Sequence, residues 1–188
     1  MDDRRVRKTK ALLRGALTAL LREKDVKDIT VSELTALADV NRGTFYCHDK
    51  DIYDMVEQME NEVFEGFSGL LDSYTETSLR RSLSPIMRDV FGFIGANLDT
   101  CAVLLNLERD TSFLERLKGM VWKKVMEEWS GLYGFLSGPE RDYCLAFLVG
   151  GSIGLIQQWV TDERRRTPEE MAALAEVLIT NGIGALGE

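Results

Sequence analysis

One histidine, three prolines and three cysteines occur among 188 residues, and each shortage removes a class of protein. The lone His48 excludes zinc chemistry of the HExxH type, which needs two histidines. An odd cysteine count with no CxxC spacing makes no disulfide framework and points to a reducing cytosol. Cys47, His48, Cys101 and Cys144 are numerous enough for a zinc site but not spaced like one, so neither metal nor cofactor is expected. No nucleophile–base spacing surrounds the single histidine, which argues against an enzyme. Long apolar runs are missing too. The longest, Cys144 to Ile156, has 13 residues, against the roughly 20 that a membrane span needs. The N-terminus is basic, but an Arg-punctuated amphipathic segment follows it where a secretory signal has an apolar core. No membrane partner is expected.

What the sequence does have is charge, unevenly placed. The net charge is −8, yet residues 1–50 hold 11 Lys and Arg against 8 Asp and Glu, and residues 51–188 hold 12 against 23. A basic end on an acidic body suggests nucleic-acid contact through that end alone. A solvated, basic first helix would give the same counts. Hydrophobic residues make up 45%, enough to bury a core in one large domain or two small ones.

The pattern reads as all helix. Pro85, Pro139 and Pro168 each sit where a helix would start, a position that tolerates proline because its N–H has no partner. Thr167 and Glu170 have capping-box spacing. No segment alternates with period two, so no strand is indicated. From Val6 to Lys24, Leu13, Ala16, Leu17, Leu20 and Leu21 share one helical face, and Arg7, Lys10 and Arg14 share another. Ile52, Met55, Met59, Val63, Phe67, Leu70 and Tyr74 keep helical spacing along a rod of about 35 Å. Further helices are expected near 85–98, 101–107, 112–136, 139–164 and 168–186, for about nine in all.

Residues 29–50, ITVSELTALADVNRGTFYCHDK, carry the most specific signal. Thr30 caps a helix with Glu33 completing the box, and Ile29 with Leu34 forms a hydrophobic staple. Asn41 caps the next helix, and Val40 with Phe45 repeats the staple. Two short helices, roughly 31–38 and 42–48, are thus joined by a tight turn, which is helix-turn-helix spacing. With Phe45 as the buried anchor, Arg42, Gly43, Thr44, Tyr46 and His48 point outward. Arg and Thr can meet base edges, Thr, Tyr and His can donate to phosphates, and Gly43 lets the helix approach a groove closely. A plain helical hairpin with a solvated outer face fits the same two caps.

The string TVSELTALADVNRGTFYCHDKDIYDMV resembles the DNA-binding signature of the tetracycline-repressor (TetR) family of regulators. Its NRGTFY core, the His that follows and the DIYDMV helix opening carry the likeness. The branch it looks most like is that of dihydroxyacetone-kinase-type regulators. GGSIGLIQQWV and TPEEMAALAEVLITNGI resemble that branch more weakly. The resemblance implies an N-terminal three-helix DNA-binding domain over 1–50. It also implies a C-terminal helical bundle over 51–188 for dimerisation and ligand sensing. It makes 42–48 the recognition helix, with Thr30, Thr44, Tyr46, His48 and Lys50 on the DNA backbone, Arg42 and Gly43 at base edges, and Asn41 as the cap among them. Three residues depart from the family pattern. Asp49 replaces an aromatic that packs between helices, Ile52 replaces a phosphate-binding lysine, and Asp39 replaces a turn glycine. Asp tolerates the left-handed conformation better than most residues. Asp49 could cap the long helix, and would put negative charge near the phosphate face. The first and second changes are read as lowering DNA affinity. A basic arm of Arg4, Arg5, Arg7 and Lys8 could reach phosphates or a minor groove, or stay disordered without DNA. Cys47 could act as a thiol switch, with Lys50 the one nearby positive charge.

In the body, the helix after Pro139 is apolar nearly all round, so it must be covered on more than one side. A second chain would do this, with Gly150, Gly151 and Gly154 allowing close approach; a core helix of a monomer would do it too. The resemblance implies a four-helix dimer interface, taken here as Gly150, Gly151, Gly154, Leu155, Leu178 and Ile179. Trp122 and Trp129, seven apart, share a helix face with Val125 and Met126. With Met59, Phe91 and Trp159 they could line an effector pocket, or be plain core. The pocket set carried forward is Met59, Phe91, Trp122, Met126 and Trp129. The expected function is a cytoplasmic, bacterial, homodimeric regulator, read as a repressor. It would bind a palindrome in double-stranded DNA and be released by a small-molecule effector. The alternative is a TetR-like interaction protein with weakened DNA contact that acts through a protein partner.

Overall fold

The computed structural model describes residues 3–105, 112–134, 138–163 and 166–182. The expected helix ends at 107, 136, 164 and 186 lie outside the described residues. Every regular element among the described residues is helical, as the sequence pattern requires. The chain divides into two compact units, Met1–Glu62 and Val63–Glu188.

The first unit opens with α1, Asp3–Leu21. Its Leu13, Ala16, Leu17, Leu20 and Leu21 are all buried, so the amphipathic face read from the sequence is the face that packs. The proposed basic arm is instead the first turns of this helix: Arg4, Arg5, Arg7 and Lys8 lie within it. A 3-10 turn at Val26–Asp28 leads to α2, Val31–Leu37, and then to α3, Arg42–Tyr46. The long α4, Ile52–Asp72, begins in this unit. Leu13, Leu17, Leu34 and Phe45 are wholly buried, and Ile52, Met55 and Met59 nearly so. Each such side chain removed from water stabilises by about 1.5–3 kcal/mol, which lets a five-residue helix with almost no hydrogen-bond ladder hold its place.

The second unit takes up the rest of α4. It continues with α5 (Glu76–Arg81), α6 (Ser84–Ala96), α7 (Leu98–Leu104) and α8 (Ser112–Lys123). Helix α8 runs into a π turn at Lys124–Glu128 and a 3-10 turn at Ser130–Tyr133. Then come α9 (Gly138–Thr161) and α10 (Pro168–Gly182). The prolines at 85, 139 and 168 do open helices. The Thr167 box forms: Thr167 N–H donates to Glu170 at 2.9 Å, and Glu170 N–H donates to Thr167 Oγ1 at 3.2 Å. Helix α10 packs against α6. Gly95 makes this possible, since a Cβ there would sit 2.9 Å from Pro168 Cγ. Trp159 closes the same corner, with its ring edge-on to Phe91 at 5.3 Å and its indole N–H donating to Arg166 O at 2.8 Å.

Two elements differ from the sequence reading. Helix α5 went unpredicted; it has six residues, and its capping box uses Ser78 with Thr75 in place of Glu or Gln. The π turn breaks the tryptophan stripe. Trp129 N–H donates to Lys124 O at 3.0 Å, one residue further back than in an α-helix. That wider turn rotates Trp129 away from the face of Trp122 by about a quarter turn.

Candidate functional site

The helix-turn-helix is built by side chains that replace missing backbone partners. Thr30 Oγ1 accepts from Glu33 N–H at 3.2 Å, and Asn41 Oδ1 accepts from Gly43 N–H at 2.7 Å. Glu33 also binds Lys24, whose ammonium holds the carboxyl below its ordinary value, with the Thr30 backbone contributing less. The turn between α2 and α3 passes through Asp39 at φ 52°, the left-handed region where Asp replaces glycine at small cost. Gly43 serves the cap as well: a Cβ there would lie 3.1 Å from Asn41 Oδ1, tight enough to push the cap aside.

Phe45 anchors α3 with no exposure at all. Around it, Asn41, Arg42, Gly43, Tyr46 and Lys50 are exposed, and Thr44 and His48 are half-buried. Thr30 is exposed at the start of α2. Tyr46 leans edge-on against Phe45 at 5.3 Å between ring centres, which steadies its exposed hydroxyl end. Seven of the eight residues singled out for DNA contact therefore fall on one short helix and the turns flanking it. Tyr53, 60% exposed on the first turn of α4, was not singled out. Its neighbours Ile52 and Met55 are buried, so helical spacing alone would have turned it outward.

The departures at 49 and 52 take on a different meaning. Asp49 does not cap α4. Asp51 does, accepting from Asp54 N–H at 2.8 Å, while Asp54 accepts from Lys50 N–H at 2.8 Å. Asp49 is buried, 7% exposed, in the place expected of the family's packing aromatic. It borders a small cavity with Lys10, Arg14 and Gln58. Burial raises its carboxyl above the ordinary value, partly offset by Lys10, His48 and Arg14. Its charge is therefore not displayed on the outer face. Ile52 is also buried, at 4% exposed, so it stands in the core and not at a phosphate position.

Cys47 is exposed, and its thiol donates to Gly43 O at 3.2 Å. Among the described residues, no three His, Cys, Asp or Glu side chains gather as metal ligands would.

The second unit holds a partly open cavity of about 160 Å³, lined among the described residues by α4 to α10 and the two turns after α8. Phe91 and Trp129 line it; Met59, Trp122 and Met126 do not. Met59 belongs to the core of the first unit, and the π turn carries Trp122 and Trp129 apart.

Helix α9 separates two environments. Val149, Ser152, Ile153 and Ile156 face the cavity, while Gly150, Gly151 and Gly154 are exposed. In line with these glycines, Tyr143 and Phe147 are 76% and 69% exposed; on α10, Val177 and Leu178 are each 53% exposed. Leu155 and Ile179 border the cavity. Tyr143 and Phe147 are missing from the sequence-derived interface, although the steps of four from Tyr143 to Phe147 and from Phe147 to Gly151 mark the stripe. The stretch Arg141–Thr161 has mean hydropathy 1.4 and is only 28% buried within the chain, so length and composition alone would let it cross a membrane.

A ladder of polar contacts fixes the π turn. Lys124 Nζ binds Asp72 at 2.6 Å and also Glu128. Burial opposes its charge, but the two carboxylates together raise its value. Arg80 binds Glu76 and donates to Gly131 O, and Trp129 Nε1 donates to Tyr74 O at 3.3 Å.

Comparison with known proteins finds a TetR-type family, described as "Transcriptional regulator C-terminal region", matching residues 81–181. An uncharacterized HTH-type transcriptional regulator, YxbF of Bacillus subtilis (strain 168), is 22% identical over 165 residues, or 86% of this chain. The chain spans 42% of that relative's length. Among solved structures, a TetR transcriptional regulator from Streptococcus agalactiae 2603V is 24% identical, with TM-score 0.58, covering 95% of this chain and 97% of that one. The dihydroxyacetone kinase operon activator DhaS is 13% identical, with TM-score 0.59, covering 94% and 97%. The fatty acid degradation regulator FadR from Bacillus halodurans is 14% identical, with TM-score 0.61, covering 93% and 95%. These structures share the fold.

Proposed function

This chain belongs to the TetR family of transcriptional regulators, and from that premise we propose that it is a cytoplasmic, homodimeric, sequence-specific DNA-binding repressor. Residues 1–50 hold the DNA contacts, within the first unit, and the part of 51–188 that forms the second unit, Val63–Glu188, serves dimerisation and sensing. The observation that carries the reading is α3. A wholly buried Phe45 fixes it, Asn41 caps it, and Arg42, Tyr46 and Lys50 stand exposed around it. Arg42 reads base edges at the helix start, where Gly43 presents no side chain. Thr30, Thr44, Tyr46, His48 and Lys50 hold phosphates and set the register. Each subunit reads one half-site, and successive major grooves on one side of the duplex recur about every 34 Å.

The apolar stripe of Tyr143, Phe147, Gly150, Gly151 and Gly154, with Leu178 on α10, supports the homodimer. Exposed aromatic side chains beside glycines bury well against a second copy. Leu155 and Ile179, half-buried on the cavity wall, back that face from within. An effector in the 160 Å³ cavity releases DNA by favouring the subunit arrangement that binds it less well.

The competing reading, an interaction protein with weakened DNA contact, rests on Asp49 and on the acidic body. Burial of Asp49 removes the first of these grounds. Selection from a random duplex library at two salt concentrations tests the proposal. The expected outcome is an enriched palindrome bound with affinity that falls steeply with salt. Enrichment of nothing at either salt overturns it.

A further inference from the structure

We propose that the cavity of the second unit takes a neutral, largely hydrocarbon ligand of about single-ring size, and rejects organic anions and cations of the same size. This deepens the effector reading above and rests on it for the ligand's regulatory role, though not for its binding.

Among the described residues, no charged side chain lines the cavity. Its polar groups are few, and most are spoken for. The indole N–H of Trp129 is directed to Tyr74 O. The thiol of Cys101 is pushed up to about 12 by burial and stays neutral. That leaves Ser152, halfway along α9, as the one hydroxyl on the wall among the described residues. A carboxylate or ammonium placed here would lose its hydration and meet no counter-charge. A neutral ring would replace missing packing partners, and one hydroxyl on it could pair with Ser152. The volume, about 160 Å³, is close to that of an apolar cavity of about 150 Å³ in another protein, which stays dry and binds benzene.

A matched series of probes tests this in the full chain without DNA: toluene, benzyl alcohol, benzoate and benzylammonium, read by calorimetry and thermal unfolding. Toluene and benzyl alcohol should bind and raise Tm, and the two ions should bind at least about 100-fold more weakly. Ser152→Ala should weaken benzyl alcohol by about 2- to 10-fold and leave toluene unchanged. Ring-to-methyl NOEs in the unmodified protein should place toluene against Val149 and Ile153, which needs no variant to fold. Equal binding of the ions, no binding by either neutral probe, or NOEs to other methyl groups would each overturn the proposal. Binding without DNA recognition would leave this inference standing while the regulator reading fell, and the reverse result would do the opposite.

Discussion

Helix α3 has five residues, one of them wholly buried, whereas α9 has 24 and leaves Tyr143 and Phe147 76% and 69% exposed. The short helix shows solvent polar groups, a glycine and one tyrosine; the long one shows solvent aromatic rings and glycines. Both are anchored from beneath by apolar side chains, Phe45 in one case and Leu145 and Val149 in the other. The difference lies in what the outer face requires. Polar groups at α3 are already hydrated, and in the proposed complex they would exchange water for phosphates and base edges. Rings at α9 gain by leaving water, which calls for an apolar partner. The two units thus suit two kinds of macromolecule, and the comparison breaks if either face can be altered without losing its own partner.

The largest effect is expected from Phe45→Ala. Removing this ring should cost about 3–5 kcal/mol. Amide exchange should show loss of protection in residues 31–46 while α6 and α10 stay protected; equal loss in both units would mean that they do not fold independently. Next is the double change Tyr143→Glu and Phe147→Glu. Four acids in a self-complementary apolar face should weaken dimerisation by at least about 100-fold in sedimentation velocity. A dimer that persists would place the interface elsewhere.

Smaller and more selective effects are expected at α3. Arg42→Ala should lose about 1–3 kcal/mol of operator binding and relax preference at one base position. Lys50→Ala should weaken all duplexes alike and lower the salt slope by about 1. If the two variants behave the same, Arg42 does not read bases.

The smallest effect concerns Asp49. Its folded-state value is raised above 3.8 by burial, so the folded head holds that proton more tightly than the unfolded chain does. The stability this gives is complete below the ordinary value and is lost as pH rises through the folded one. Asp49→Asn should therefore gain Tm relative to the parent as pH rises from about 4 to 7. A constant offset across that range would show that Asp49 does not titrate with folding.

How far the sequence could be read depended on the range of the interactions involved. Caps and turns depend on neighbours within four residues, so Thr30, Asn41, Thr167 and the left-handed Asp39 were legible. So was the buried face of α1, which follows from period alone. Asp49 was misread because its burial depends on α1, some forty residues away, and a carboxylate between short helices looks like a cap. Ile52 was compared with a lysine when its own apolar character already argued for the core. The tryptophan pair failed because period counting assumes unbroken α geometry. The cavity is long-range throughout: its walls come from α4 to α10 and the two turns after α8, and only Phe91 and Trp129 of the five chosen residues reach it.

The π turn at Lys124–Glu128 also bears on how this chain should be aligned with its kin. A turn closed five residues back, where an α-helix closes four back, holds one residue more than the path needs. A relative lacking that residue could follow the same path with ordinary α bonds and keep its downstream side chains in place. Position-by-position alignment without a gap would then pair each residue beyond Glu128 with the wrong partner. For such a relative, a one-residue gap would fall within 124–128, where Asp72 and Glu128 clasp Lys124.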